Sequence, residues 1–383
     1  MSVYLDYNAT TPTRPEVLEA MLPYFTEKAG NPSSVHGPGR AAREGLDRAR
    51  RQVAQLLNVH FSQVHFTSGG TEASNLALLG MAAKFDFSGH VITTAMEHPA
   101  VGRVVDVLEA RGMQVTRLQP DEQGSIHTAQ LQAALRRDTR LVSVMAANNE
   151  TGVMLPVVDM AALCKAQGVL FHTDAVQWVG KYALDMATTP MDLVSLSAHK
   201  FGGPKGVGAL VMDAALAPQP QLLGGGQERG RRSGTENLTG IVGLGHAAEL
   251  AMREMVPQAE RLQSLRDNME HMLIEQLPEM VVYGAQAERL ANTSLMGFPG
   301  IDGETLVMQL DLAGFAVSSG SACSSGRTEP SHVLKAMGVD EDAAKGAIRV
   351  TLGAGSQQDE INRFTQMLVR SVSQLKSMAG MLV

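Results

Sequence analysis

The sequence is short of cysteine, of aromatic rings and of long apolar runs. Cys164 and Cys323 are its only cysteines, too few for a disulfide framework and too far apart for a local Cys-x-x-Cys metal site, so the reducing cytoplasm is the expected compartment. No run reaches the ~18 consecutive apolar residues of a bilayer span. Met1-Ser2-Val3-Tyr4-Leu5-Asp6 has neither a charged n-region nor an apolar h-region, so neither export nor membrane insertion is expected. A basic excess is missing too. The formal net charge is -7, and the one dense basic cluster, Arg229-Gly230-Arg231-Arg232, is too short for a nucleic-acid footprint. Twenty-two Met against ten Phe, five Tyr and one Trp point to a pliable core rather than a stacking surface.

What is present is an ordinary globular composition, 44% hydrophobic and 19% charged over 383 residues, enough for two domains. Short apolar runs alternate with helical patterns. Val64-His65-Phe66-Thr67-Ser68, His90-Val91-Ile92-Thr93-Thr94, Val115-Thr116-Arg117-Leu118, Leu141-Val142-Ser143-Val144-Met145, Val169-Leu170-Phe171-His172-Thr173-Asp174 and Asp192-Leu193-Val194-Ser195-Leu196-Ser197 read as strands. Helices are expected near 15–25, 40–57, 70–79, 99–111 and 157–167, with Gly30 to Gly39 as an irregular loop. That alternation predicts an α/β fold with a mostly parallel sheet covered by helices on both faces. In such sheets ligands bind beyond the carboxyl ends of the strands. Thr71, His98, Asn149, Asp174 and Lys200 each follow a predicted strand, so all five are expected at one crevice.

Each has a plain reading when taken alone. Ser197-Ala198-His199-Lys200 is a strand, a loop and a solvated lysine; held in a dry pocket, the same lysine is a Schiff-base nucleophile. Gly69-Gly70-Thr71 is a common helix start, and equally a phosphate cradle of first-turn amides and a hydroxyl. His98 reads as a cap or as a ring that stacks and moves protons. Asn149 is a turn residue or a carboxylate holder. Asp174 ends an apolar strand and needs a donor such as a pyridinium N–H, and Gln177 can reach the same ring. Gly224 to Asn237 sets a glycine triplet beside arginines, which suits an anion-binding loop or an interface.

Helices at about 239–254 and 258–276 are expected to flank a domain boundary near Pro257. Beyond it, 281–284 and 293–298 read as strands and 303–312 as a helix. Arg349 lies inside an apolar strand pattern, where it is a surface edge residue or a clamp for a substrate carboxylate. Cys323, in a run of Ser and Gly, has little to pack against and is expected to be exposed, whereas Cys164 reads as a core thiol.

Taken together, Tyr4-Leu5-Asp6, Gly30-Asn31-Pro32-Ser33-Ser34, Ser197-Ala198-His199-Lys200 and Ser319-Gly320-Ser321-Ala322-Cys323 resemble the cysteine desulfurases of the class V aminotransferase family, in the branch that feeds iron-sulfur cluster assembly. The resemblance implies the fold type I architecture of pyridoxal phosphate-dependent transferases. A large domain, 13–257, holds a seven-stranded sheet, and residues 1–12 and 258–383 form a smaller α+β domain carrying the cysteine loop. It implies pyridoxal 5'-phosphate held covalently by Lys200, with Asp174 on the ring nitrogen, His98 stacked on the ring and assisting proton transfer, and Gln177 on the ring hydroxyl.

Gly70, Thr71, Ser197 and His199 would hold the phosphate, joined by Thr235 of a second subunit in a homodimer. Asn149, at the cofactor, and Arg349 would hold the carboxylate of L-cysteine. Cys323 would take the sulfur as a persulfide and pass it to an acceptor such as an iron-sulfur scaffold, with no direct part for nucleic acid, membrane or metal. Relatives often carry an arginine after Gly353, where this chain has Ala354, and the chain stops at Val383, about twenty residues before the longest of them, which puts scaffold docking in question. Selenocysteine lyase or another reaction on the same cofactor is the alternative chemistry, and a cofactor-binding regulatory protein the alternative to an enzyme.

Overall fold

The computed structural model describes residues 2–320, 330–378 and 380. The chain opens with a short strand, β1 (Val3–Tyr4), and helices α1 (Pro15–Met21) and α2 (Gly37–Leu56). It then alternates through β2 (Val64–Thr67), α3 (Gly70–Ala82), β3 (His90–Thr94), α4 (Pro99–Ala110), β4 (Gln114–Leu118), α5 (Thr128–Ala134), β5 (Thr139–Ser143), α6 (Val157–Ala166), β6 (Leu170–Asp174), β7 (Leu193–Ser197) and β8 (Gly208–Met212). These seven strands form one sheet in the order β2-β8-β7-β6-β5-β3-β4. Only β8 runs against its neighbours β2 and β7. Every residue of β3, β6 after Leu170, β7 and β8 is buried, as expected of strands covered on both faces. Their carboxyl ends therefore open onto one edge.

α2 begins at Gly37 rather than Arg40, because Pro38 supplies a preset first turn and His36 Nδ1 accepts the Gly39 amide at 3.2 Å. Its inner stripe, Leu46, Ala49 and Val53, packs on α7 (Leu238–Gln276). The approach is close: a methyl group at Gly245 of α7 would stand 2.5 Å from Ala49 Cα.

The two helices expected on either side of Pro257 are one. α7 is 39 residues long with Pro257 inside it. A proline in a helix interior costs about 3 kcal/mol by removing a hydrogen bond and crowding the preceding turn. Here the apolar stripes on both sides hold the helix together, since Ala251 is buried in one core and Leu262, Leu265, Met269 and Leu273 in another. Between Ala251 and Leu262 no residue is buried. Pro257 thus sits where the helix crosses between two cores.

The second core gathers Val3 and Leu5 with residues from 262 to 372. Its sheet has β9 (Val281–Val282), β10 (Thr293–Gly297), β12 (Ser318–Ser319) and β13 (Ala347–Thr351) in the order β12-β13-β10-β9, while β11 (Phe315–Ala316) pairs with β1. Helix α8 (Gly303–Leu312) and the helix Gln358–Met378 cover it; the latter, like α5, has no counterpart among the sequence expectations. No helix among the described residues is long and apolar enough to cross a membrane.

Candidate active site

A cavity of about 300 Å³ lies at the carboxyl ends of the large sheet. Ten of the residues expected at the site line it: Gly70, Thr71, His98, Asn149, Asp174, Gln177, Ser197, His199, Lys200 and Arg349. An adjoining space shares Gly70, Thr71, Ser197 and His199 and adds Ser68 and Lys205. Two expected residues are not in this group. Thr235 does not line its own chain's cavity, and Cys323 lies outside the described residues.

The floor is set by β6 and β7. Asp174 ends β6, is 7% exposed, and accepts the Val176 amide at 3.0 Å. Burial raises its pKa, while His98 and Lys200 pull it back down. A buried carboxyl in that position calls for a proton-bearing partner, and a pyridine nitrogen is one. Lys200, in the turn after β7, donates from Nζ to the carbonyls of Asn8 at 2.6 Å and Ala9 at 2.9 Å. The N-terminal segment thereby receives the amine.

His98 caps α4. Its Nδ1 accepts the Ala100 amide at 3.1 Å, and burial lowers its pKa. A neutral imidazole that accepts at Nδ1 carries its proton on Nε2. The ring therefore offers an N–H, and becomes a base only by releasing its cap. His199, with Nδ1 3.1 Å from Thr10 Oγ1, is pushed down to about 4 by burial and stays neutral near pH 7.

The first amides of α3 have no helical acceptor and favour an anion, so the start of this helix suits a phosphate. Gly70 has no room for a side chain, because a Cβ there would meet Val176 Cγ2 at 2.5 Å. Ser197 supplies a hydroxyl from the buried end of β7 and Thr71 one from the helix start.

Arg349 is buried in β13, not at a surface edge. It is 2% exposed, with Nη2 donating to Asp6 Oδ1 at 2.8 Å and Ser318 Oγ at 3.3 Å, and Nη1 to the Asn149 carbonyl at 3.1 Å. Its Nε has no protein partner. A buried guanidinium with a donor left over is suited to a substrate carboxylate.

Lysine, ring-nitrogen acid, donor-rich cradle and carboxylate receptor fit pyridoxal 5'-phosphate and an amino acid. Among the described residues no cluster of His, Cys, Asp and Glu could hold a metal.

Sequence reasoning missed the residue at the centre. Asn8, 1% exposed, meets Gln177, Lys181 and Lys200 on one side and Asn292, Thr293 and Thr351 on the other. In the sequence it is one more turn residue before a helix. Glu97 was missed as well. Its Oε1 accepts Thr94 Oγ1 and the Met145 amide, its Oε2 has no partner, and burial pushes its pKa to about 8.

Comparison with known proteins agrees with this geometry. The chain is 43% identical over 380 residues to a cysteine desulfurase IscS of Clostridium botulinum, covering 98% of this chain and 96% of that protein. It is 47% identical over 379 residues to a cysteine desulfurase of Cereibacter sphaeroides, covering 98% and 97%. Among solved structures a NifS-like protein superposes with a TM-score of 0.92 at 38% identity, over 98% of this chain and all of that one. DndA of Streptomyces lividans superposes with a TM-score of 0.78 at 36% identity, over 91% and 99%. The model of the class-V aminotransferases matches residues 3–364, and the chain belongs to that family.

Proposed function

We propose that the protein is a pyridoxal phosphate-dependent cysteine desulfurase that converts L-cysteine to L-alanine and carries the released sulfur as a persulfide on Cys323. One observation carries this reading. Lys200, Asp174, His98 and the incompletely matched Arg349 line a single cavity, in a chain 43 to 47% identical to proteins that bear the activity as their name.

The cofactor, when bound, supplies the electron sink that stabilises negative charge at the substrate Cα. Arg349 and Asn149 fix the substrate carboxylate, which leaves Cα on the side of Lys200. Lys200 is the group that moves the Cα proton. Asp174 would hold a proton on the ring nitrogen, and its burial would keep that pair dry and strong. His98 would stack on the ring as a neutral donor and assist proton transfer. Gln177 serves the ring oxygen, and Gly70, Thr71, Ser197 and His199 the phosphate.

At the sulfur, the Cys323 thiolate forms a new S–S bond as the substrate's Cβ–S bond breaks. The carbon keeps the electron pair and takes a proton, giving alanine. Sulfur then leaves for a protein acceptor, of which an iron-sulfur scaffold is one class.

The working unit on this reading is a homodimer in which Thr235 completes the partner's phosphate site. The large domain is taken as 13–257, with 1–12 and 258–383 as the small one, a division supported by the unburied stretch of α7 around Pro257. Cys323→Ala tests the core of the proposal. The variant is expected to bind the cofactor and lose sulfide release from cysteine, and retained release overturns the persulfide route. Labelled cysteine, followed by finding which protein carries the label, identifies the acceptor.

A further inference from the structure

Lys181 has no role in the scheme above, yet its amine stands among the groups that hold the cofactor. Its Nζ donates to Asn8 Oδ1 at 3.0 Å and to Gln177 Oε1 at 2.8 Å. Gln177 Nε2 donates in turn to the Asn8 carbonyl at 3.0 Å, the same oxygen that accepts Lys200 Nζ at 2.6 Å. Lys181, Gln177 and Asn8 thus close a ring whose shared corner is the acceptor of Lys200.

The chemistry of the ring is directional. An ammonium has three donors and no acceptor. A carboxamide, by contrast, exchanges its donor and acceptor edges when turned by half a revolution, and only its partners decide which way round it stands. With Lys181 on one side, the edge of Gln177 that faces it must be oxygen. The amino edge then lies away from Lys181, where one N–H meets the Asn8 carbonyl and the second is left over in a residue that lines the cavity. Burial first, then the nearby charges of Lys200 and Arg349, push the Lys181 pKa well below that of an ordinary lysine. As a neutral amine it still has two N–H donors for its two oxygens, so the orientation survives loss of its charge.

We propose that Lys181 is a positioning residue that fixes the amide of Gln177, so that its donor edge, not its acceptor edge, meets the anionic ring oxygen of the cofactor. The proposal rests on the reading of this cavity as the pyridoxal phosphate site. Without Lys181 one of the two partners that orient the amide is gone, only the Asn8 carbonyl still asks for its amino edge, and a donor to the ring is lost for part of the time.

The test is a titration of the apoproteins of wild type, Lys181→Met, Gln177→Leu and the double variant with pyridoxal phosphate, reading affinity and the position of the visible absorption band. Lys181→Met is expected to weaken binding by about tenfold and to move the band to the position given by Gln177→Leu. In the Gln177→Leu background the same change should cost less than about twofold, since its route of action is already gone. An equal loss in both backgrounds, or a band left at its wild-type position by Lys181→Met, overturns the inference. Failure of the wild type to bind the cofactor overturns instead the reading of the site. Should Lys181→Met not fold, Lys181→Ala replaces it. Lys181 also lines a second cavity of about 280 Å³; water entering the variant from it would meet the Asn8 and Gln177 amide oxygens that Lys181 covers, and the same outcomes then decide.

Discussion

Arg50 and Arg349 are both buried arginines reaching across the fold, and their environments differ in one respect. Arg50, on α2, meets Glu228 with two parallel bonds of 2.7 Å and the Val64 carbonyl at 2.7 Å, and lies over the Phe66 ring. Glu228 also accepts the Phe66 amide at 3.0 Å. Arg349 has one carboxylate, Asp6, and the Ser318 hydroxyl on one nitrogen, a backbone carbonyl on another, and an Nε without a partner. A fork–fork pair with satisfied neighbours is finished as a structure. A guanidinium that is equally dry but incompletely matched is built to receive something. Satisfaction, not burial, separates the structural arginine from the one proposed to bind substrate.

The Arg50 pair also holds strain. Glu228 and Arg229 adopt φ of 47° and 59°, a region that costs non-glycine residues about 1 kcal/mol or more. They begin the turn that leads to Thr235. Arg232 then ties the same stretch to Glu72 of α3 at 2.8 Å.

The largest expected effect is therefore at Arg50. Arg50→Met leaves Glu228 buried without its partner and should cost about 3–5 kcal/mol in denaturant unfolding. Joining it with Glu228→Leu should recover most of that loss; a double variant as unstable as the single one would mean that the pair itself, and not the orphaned charge, matters. Arg349→Lys should lose less stability, about 1–2 kcal/mol, but raise the KM for cysteine by about tenfold or more, because an ammonium cannot present the same donor fork. An unchanged KM would erase the contrast between the two arginines.

A smaller effect concerns pH. His65, beside Glu228, is held down to about 4 chiefly by burial, whereas an unfolded histidine titrates near 6.5. Between those values the unfolded chain binds the extra proton, so stability falls as pH drops from about 6.5 toward 4. His65→Gln should reduce that slope in a plot of Tm against pH, leaving the share of His199, which burial also holds down to about 4. The smallest effect is the exposed control. Arg117, paired with Asp106 and Glu109 at 2.9 and 2.7 Å with all three side chains at least a third exposed, should give less than about 1 kcal/mol on change to Ala.

Much of the site could be read in the chain because it follows a local rule. Strands buried on both faces announce themselves as short apolar runs, and the residues just past them must share the sheet's carboxyl edge. Thr71, His98, Asn149, Asp174 and Lys200 all obey it. Cys164 likewise follows from its apolar helical setting; it is fully buried, and burial raises its thiol to about 12. Pro257 misled for the opposite reason. Propensity is a local cost, and the apolar contacts that carry α7 through it come from two cores.

By itself the sequence determined the alternation of strands and helices, the edge at which chemistry occurs and most of the residue types gathered there, because periodicity and strand ends are properties of neighbours along the chain. The tertiary structure alone decided that Asp6 meets Arg349 across 343 positions, that Arg50 finds Glu228 across 178, and that Asn8 joins both halves of the molecule at the lysine. Such partners are chosen by packing, and their energy depends on how dry and how fully matched each group becomes once the fold has closed.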